Sequence, residues 1–110
     1  MPLYETVLIA RQDLSTKQTE ELATSLEEIL KNNGGKVENT EHWGLRTMAY
    51  RINKNRKGHY ICMHTDTTPA ALQEMERNMR LNEDILRYMS VRIDEVPKDG
   101  TVMMKNSDAA

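Results

Sequence analysis

Two rhythms of apolar residues alternate along this chain, one with a period of two and one with a period near 3.6. Leu3 to Ala10 is short, apolar and β-branched, which predicts a strand. Neither of its faces (Tyr4, Thr6, Leu8, Ala10 and Leu3, Glu5, Val7, Ile9) is strongly polar, the pattern of a central strand. Ser15 and Gln18 have capping-box spacing, and Leu22, Leu26, Ile29 and Leu30 follow as a helical stripe. Asn32-Asn33-Gly34-Gly35 stops that helix, because glycine tolerates the left-handed cap. Lys36 to Ile52 reads as a long extended segment in which Gly44 suggests a bulge or bend. Asn53 to Gly58 reads as a polar turn and His59 to Thr65 as the return strand, with Ile61 and Met63 opposed to Tyr60, Cys62 and His64. Thr68 caps a second helix with Pro69 at its first position, and Leu72, Met75 and Met79 form its inner stripe. Asn82-Glu83-Asp84 ends it. Ile85 to Ile93 is the last strand, with Ile85, Arg87, Met89, Val91 and Ile93 expected on one face.

The order strand, helix, strand, strand, helix, strand is the split βαβ plan, an α+β, ferredoxin-like βαββαβ fold. Both helices must pack on one face of a four-stranded antiparallel sheet to bury their stripes. The chain leaves the other sheet face uncovered. Val7, Ile9, Tyr60 and His64 are expected there, and an apolar, lightly charged open face suits a partner protein. Residues 1–96 form this domain, and 97–110 read as a polar, flexible tail.

Composition narrows the classes. A chain of 110 residues holds one core, and it has neither an apolar run of transmembrane length nor a signal-peptide pattern. Its one cysteine, Cys62, fits a reducing, cytoplasmic setting and reads as a space-filling strand residue. Charge changes the picture more. The net charge is −2, yet no acidic residue lies between Glu41 and Asp66, where Arg46, Arg51, Lys54, Arg56 and Lys57 sit. Setting those five aside leaves −7 for the rest of the chain. Such an acid-free window concentrates positive potential and favours a polyanion, although lysines also serve simply to blunt sheet edges.

Catalytic patterns are missing. Gly34-Gly35 lacks the flanks of a phosphate-cradling loop, and no Ser/His/Asp order stands out. His59 and His64 differ by an odd number and so face opposite sides of their strand, which argues against a metal site built from the histidines. Nucleic-acid binding fits better: the basic hairpin offers phosphate contacts, and Trp43, Tyr50, Tyr60 and Tyr88 offer stacking surfaces. Lys57-Gly58 matches only the opening of an RNP1 motif, since no aromatic stands at His59 or Ile61.

Several stretches carry a family likeness. They are Tyr4-Glu5, the helix exit Asn33-Gly34-Gly35, the segment from Gly44 through Arg46, Met48, Ala49 and Tyr50 to Ile52, Lys57-Gly58-His59-Tyr60, and Met79 to Arg87 with Arg80, Asn82 and Glu83. In order and nearly without gaps to about Val96, they resemble the bacterial small-subunit ribosomal protein six family. The resemblance implies the ferredoxin-like fold and a structural, non-catalytic role in the small ribosomal subunit. It also implies binding to small-subunit (16S) ribosomal RNA together with small-subunit ribosomal protein eighteen, as a heterodimer, with no cofactor. Arg46, Arg80 and Arg87 fall in the family-like segments. Arg51, Lys54, Arg56, Lys57 and Arg92 join them as candidate phosphate contacts, while Val7, Ile9, Tyr60 and His64 are the candidate partner contacts. The family's tail is variable and often acidic; here it is short, with Asp99, Lys105 and Asp108. Two rival classes remain on the same fold. One is a small enzyme, which would need an oxyanion loop or paired ligands. The other is a ligand-sensing module that dimerises through its open sheet face.

Overall fold

A computed structural model of the chain describes residues 2–52 and 54–96, with the side chains of Ala49 and Arg51 left aside. The tail from Pro97 to Ala110 lies outside the described residues. The elements are β1 (Leu3–Arg11), α1 (Thr16–Asn32), β2 (Lys36–Ile52), β3 (Asn55–Asp66), α2 (Pro69–Leu81) and β4 (Ile85–Ile93). The strands form one sheet in the order β2-β3-β1-β4, with every neighbouring pair antiparallel. This is the expected ferredoxin-like arrangement.

Local chemistry sets the helix ends. The Ser15 side chain accepts from the Gln18 backbone N–H, and the Gln18 side chain accepts from the Ser15 N–H, which closes the capping box. At the other end Gly34 takes φ +87, its N–H donates to the Lys31 carbonyl, and the Gly35 N–H donates to the Leu30 carbonyl. These two bonds are a Schellman cap, which satisfies carbonyls the helix would leave open. Thr68 caps α2 by accepting from the Ala71 N–H.

The core lies between the helices and one sheet face. Leu8 and Ala10 of β1, Ile61 and Met63 of β3 and Ile85 of β4 meet Leu22, Leu26 and Leu30 of α1 and Leu72, Met75 and Met79 of α2. Full burial of such a side chain stabilises by about 1.5–3 kcal/mol, so this layer carries much of the fold. No described helix is long and apolar enough to cross a membrane.

Two expectations need correction. The polar stretch after Ile52 is not a six-residue turn: Ile52 pairs with Asn55, and β3 runs from Asn55. Polarity alone does not end a strand when its backbone groups find partners. Here the Gln12 side chain accepts from the Lys57 N–H, and Asn55 accepts from the Gln12 N–H. The last strand also changes face. A register shift between Ile9 and Ala10 sets Arg87 opposite Ile9 but Ile85 opposite Ala10, so Ile85 enters the core while Arg87 stays exposed.

Candidate functional site

Strand register fixes what the uncovered sheet face displays. One row across it is Arg87, Ile9, Tyr60 and Gly44. The next is Met89, Val7, Cys62 and Glu41, and the one after that is Val91, Glu5, His64 and Asn39. Met89 and Val91 are 56% and 42% exposed, while Val7, Ile9 and Tyr60 are half-buried. The face therefore carries an apolar strip of Met89, Val91, Val7, Ile9 and Tyr60, with Arg87 at one end of it and the carboxylates Glu41 and Glu5 in the second and third rows.

The bulge at Gly44, with φ +83, makes Trp43 the extra residue between His42 and Gly44. Its ring stacks on Tyr60, with centroids 6.3 Å apart and planes 14° apart, and its indole N–H donates to Glu41 at 3.1 Å. Trp43 is thus 6% exposed and props Tyr60 up rather than offering itself for stacking. Met48 is buried beside the same patch, and its sulfur lies 3.5 Å from where a Cβ on Gly58 would stand. Tyr50, by contrast, is 80% exposed.

Of the expected partner residues, Val7, Ile9 and Tyr60 reach the open face together. His64 belongs to that face by register, but its side chain is fully buried. It lies beside Glu5, with Nε2 to Oε1 at 3.1 Å, and its Nδ1 is 3.8 Å from Glu41 and 3.4 Å from Asn39. Cys62, buried next to it, has its thiol pushed up to about 12 by burial and then by the nearby Glu5 and Glu41 charges. Glu5, Cys62 and His64 are the one group of metal-ligand type among the described residues.

The expected phosphate contacts divide by position. Arg46 pairs with Gly58, Thr47 with Lys57, and Arg87 with Ile9, all at the end of the sheet where β1 leaves. Lys54 and Arg56 are exposed at that end, and Arg80 is exposed in the last turn of α2, just before β4 begins there. Arg80 also donates to the Tyr88 hydroxyl at 3.4 Å, and with Arg87 it borders a groove of about 280 Å³. Arg46 turns one donor onto the Trp43 carbonyl at 3.1 Å. The acids nearby are partly occupied, since Arg11 pairs with Asp13 at 3.4 Å and Asp84 at 3.3 Å. Arg92 stands apart: it pairs with Tyr4 at the opposite end and lies on the other side of β4 from Arg87. The Arg51 side chain is outside the described residues.

Sequence reasoning grouped Glu5 with Val7 and Ile9, and Met89 and Val91 with Arg87, without naming them as partner contacts, and it did not group Glu41 with this face. Met89 and Val91 carried a signal, because their alternation with Tyr88 and Ser90 on an outer strand places them opposite the core.

Comparisons agree with this architecture. The family model described as Ribosomal protein S6 matches residues 3–92. Small ribosomal subunit protein bS6 of Dinoroseobacter shibae is 52% identical over 98% of this chain and 92% of its own length. The protein of the same name from Gluconobacter oxydans is 51% identical over 98% of this chain and 68% of its own. The crystal structure of 30S ribosomal protein S6 from Thermotoga maritima matches with a TM-score of 0.78 at 26% identity, covering 98% of this chain and 96% of that one. The C-terminal domain of the MgtC protein from Mycobacterium tuberculosis, with a TM-score of 0.59 at 11% identity, shares the fold alone. By sequence and by fold, the chain belongs to the ribosomal protein S6 family of the small ribosomal subunit, whose role is structural and not enzymatic.

Proposed function

We propose that this protein works in the cytoplasm by joining two partners within the small subunit. It docks on small-subunit (16S) ribosomal RNA with its basic end and on small-subunit ribosomal protein eighteen with its open sheet face. The observation that carries the reading is the gathering of Arg46, Lys54, Arg56, Lys57, Arg80 and Arg87 at one end of the sheet, beside an exposed apolar strip. Arg51 belongs to the same group by sequence, and Arg92 is a separate contact at the far end.

The chemistry matches each role. Arginine and lysine suit phosphate oxygens, and neutralising phosphates releases counterions. The net charge of −2 limits that gain, so RNA affinity of the isolated chain is weak and the partner supplies further positive charge. Val7, Ile9, Tyr60, Met89 and Val91 supply the apolar contact, with Tyr60 held rigid by Trp43.

Two variants test the two halves. Arg87→Ala, measured as RNA binding of the heterodimer against salt, lowers the slope of log affinity by about one unit, the loss of one phosphate contact. An unchanged slope removes Arg87 from the RNA site. Tyr60→Asp places a charge in the apolar strip and abolishes capture of protein eighteen in a pull-down; normal capture rejects this face as the partner surface.

A further inference from the structure

At the acidic end of the open face, β1 and β3 bring three side chains of metal-binding type together. Glu5 and His64 are cross-strand partners, and Cys62 precedes His64 by two residues on the same side. His64 Nε2 stands 3.1 Å from Glu5 Oε1 and 3.9 Å from Cys62 Sγ, and all three ligand atoms lie within 4.8 Å of one another. Ligands on one tetrahedral zinc ion, with bonds of about 2.0–2.3 Å, stand about 3.3–3.6 Å apart. The two distances bracket that range within a few tenths of an ångström.

The surroundings fit as well. The other ring nitrogen, Nδ1, lies 3.4 Å from the Asn39 side-chain amide and 3.8 Å from Glu41 Oε2, the latter beyond hydrogen-bond reach. A ligating histidine commonly gives its second N–H to a carboxylate, and Glu41 is near enough to take it only after a small shift. Cys62 and His64 have no exposed surface, whereas the Glu5 side chain is 23% exposed, so an ion would approach past that carboxylate. A thiolate, an imidazole and a carboxylate together suit zinc and its close relatives and do not suit magnesium or calcium, which take oxygen ligands. The competing role for the same residues is a Glu5–His64 ion pair beside an inert thiol.

We propose that Glu5, Cys62 and His64 form a binding site for one zinc-class divalent ion on the open sheet face. As the sulfur–metal bond forms, the S–H bond of Cys62 breaks and its proton leaves to solvent. Nε2 donates its lone pair while Nδ1 keeps the ring proton. Burial between two carboxylates holds the free thiol protonated, and the cation offsets that negative surrounding.

Cobalt(II) is the probe, added to the full chain under reducing conditions. A single equivalent is expected to saturate the protein and to produce a thiolate-to-cobalt charge-transfer band with the strong visible bands of a four-coordinate site; zinc then bleaches both. Cys62→Ser abolishes the charge-transfer band. Glu5→Gln, at a partly exposed position, keeps the fold by circular dichroism and weakens cobalt binding by about tenfold or more. His42→Gln leaves binding unchanged. The proposal is overturned if the wild-type chain gives no such band, if Cys62→Ser keeps it, or if a folded Glu5→Gln binds cobalt as tightly as wild type. The last measurement decides the matter even where Cys62→Ser does not fold. None of these outcomes depends on RNA or on a partner protein.

Discussion

Gly58 is where a single atom has the least room. A Cβ there would collide with Ile9 Cγ2 and stand 3.2 Å from the Ala10 carbonyl oxygen, because β1 and β3 pair tightly at Arg11 and Gly58. Gly58→Ala is therefore expected to destabilise the fold by about 1–3 kcal/mol, the usual cost of overpacking, read as a lower urea midpoint at an unchanged slope. Cys62 gives a second prediction at this scale. Its thiol sits near 12 rather than its ordinary 9.0, so the folded chain retains the proton while the unfolded chain loses it. The stability it contributes is intact below pH 9.0 and is lost as the pH rises from there toward about 12. Without added metal, alkylation of Cys62 at mildly alkaline pH is expected to be slow in the folded chain and fast in urea. Equal rates in both states would show that the thiol is neither buried nor suppressed. The grouping of Cys62 and His64 with Glu5 was hidden in the sequence, because the third member lies 59 residues from His64 and meets it only through β1–β3 register.

At the scale of elements, local signals were the most legible. The capping box at Ser15, the glycine stop at Gly34 and Gly35 and the Thr68-Pro69 start all appear as written in the chain, since each depends on neighbours within a few residues. Ser15→Ala is expected to cost about 1 kcal/mol, measured by thermal unfolding, because it leaves the Gln18 N–H in the first turn of α1 without its side-chain acceptor. Long-range pairing was less legible. The strand from Asn55 looks like a loop in sequence because its residues are polar, yet Gln12 from after β1 holds it in place. The face of Ile85 depends on a register shift against β1 that no local pattern encodes. Likewise Trp43, a natural candidate for base stacking, is drawn down onto Tyr60 by the bulge at Gly44.

At the scale of the molecule, the acid-free window and the last strand meet. Read along the chain, Arg46 and Arg87 are separated by the whole of β3 and α2; in the fold both stand at the end of the sheet where β1 leaves. The fold thus gathers Arg46, Lys54, Arg56, Lys57, Arg80 and Arg87 at one end, among the acids Asp13, Glu83 and Asp84, and sets Glu5 and Glu41 toward the other end, where Arg92 also lies. In the proposed reading, RNA and a partner protein are held by different residues. Sedimentation with small ribosomal subunits tests this most directly, using tagged wild-type chain and an Arg46→Ala/Arg80→Ala/Arg87→Ala variant that is folded by circular dichroism. The wild type is expected to travel with the subunit, and the triple variant to remain near the top of the gradient while still capturing protein eighteen in a pull-down. A triple variant that sediments with the subunit in wild-type amounts would contradict the assignment of RNA docking to the basic end.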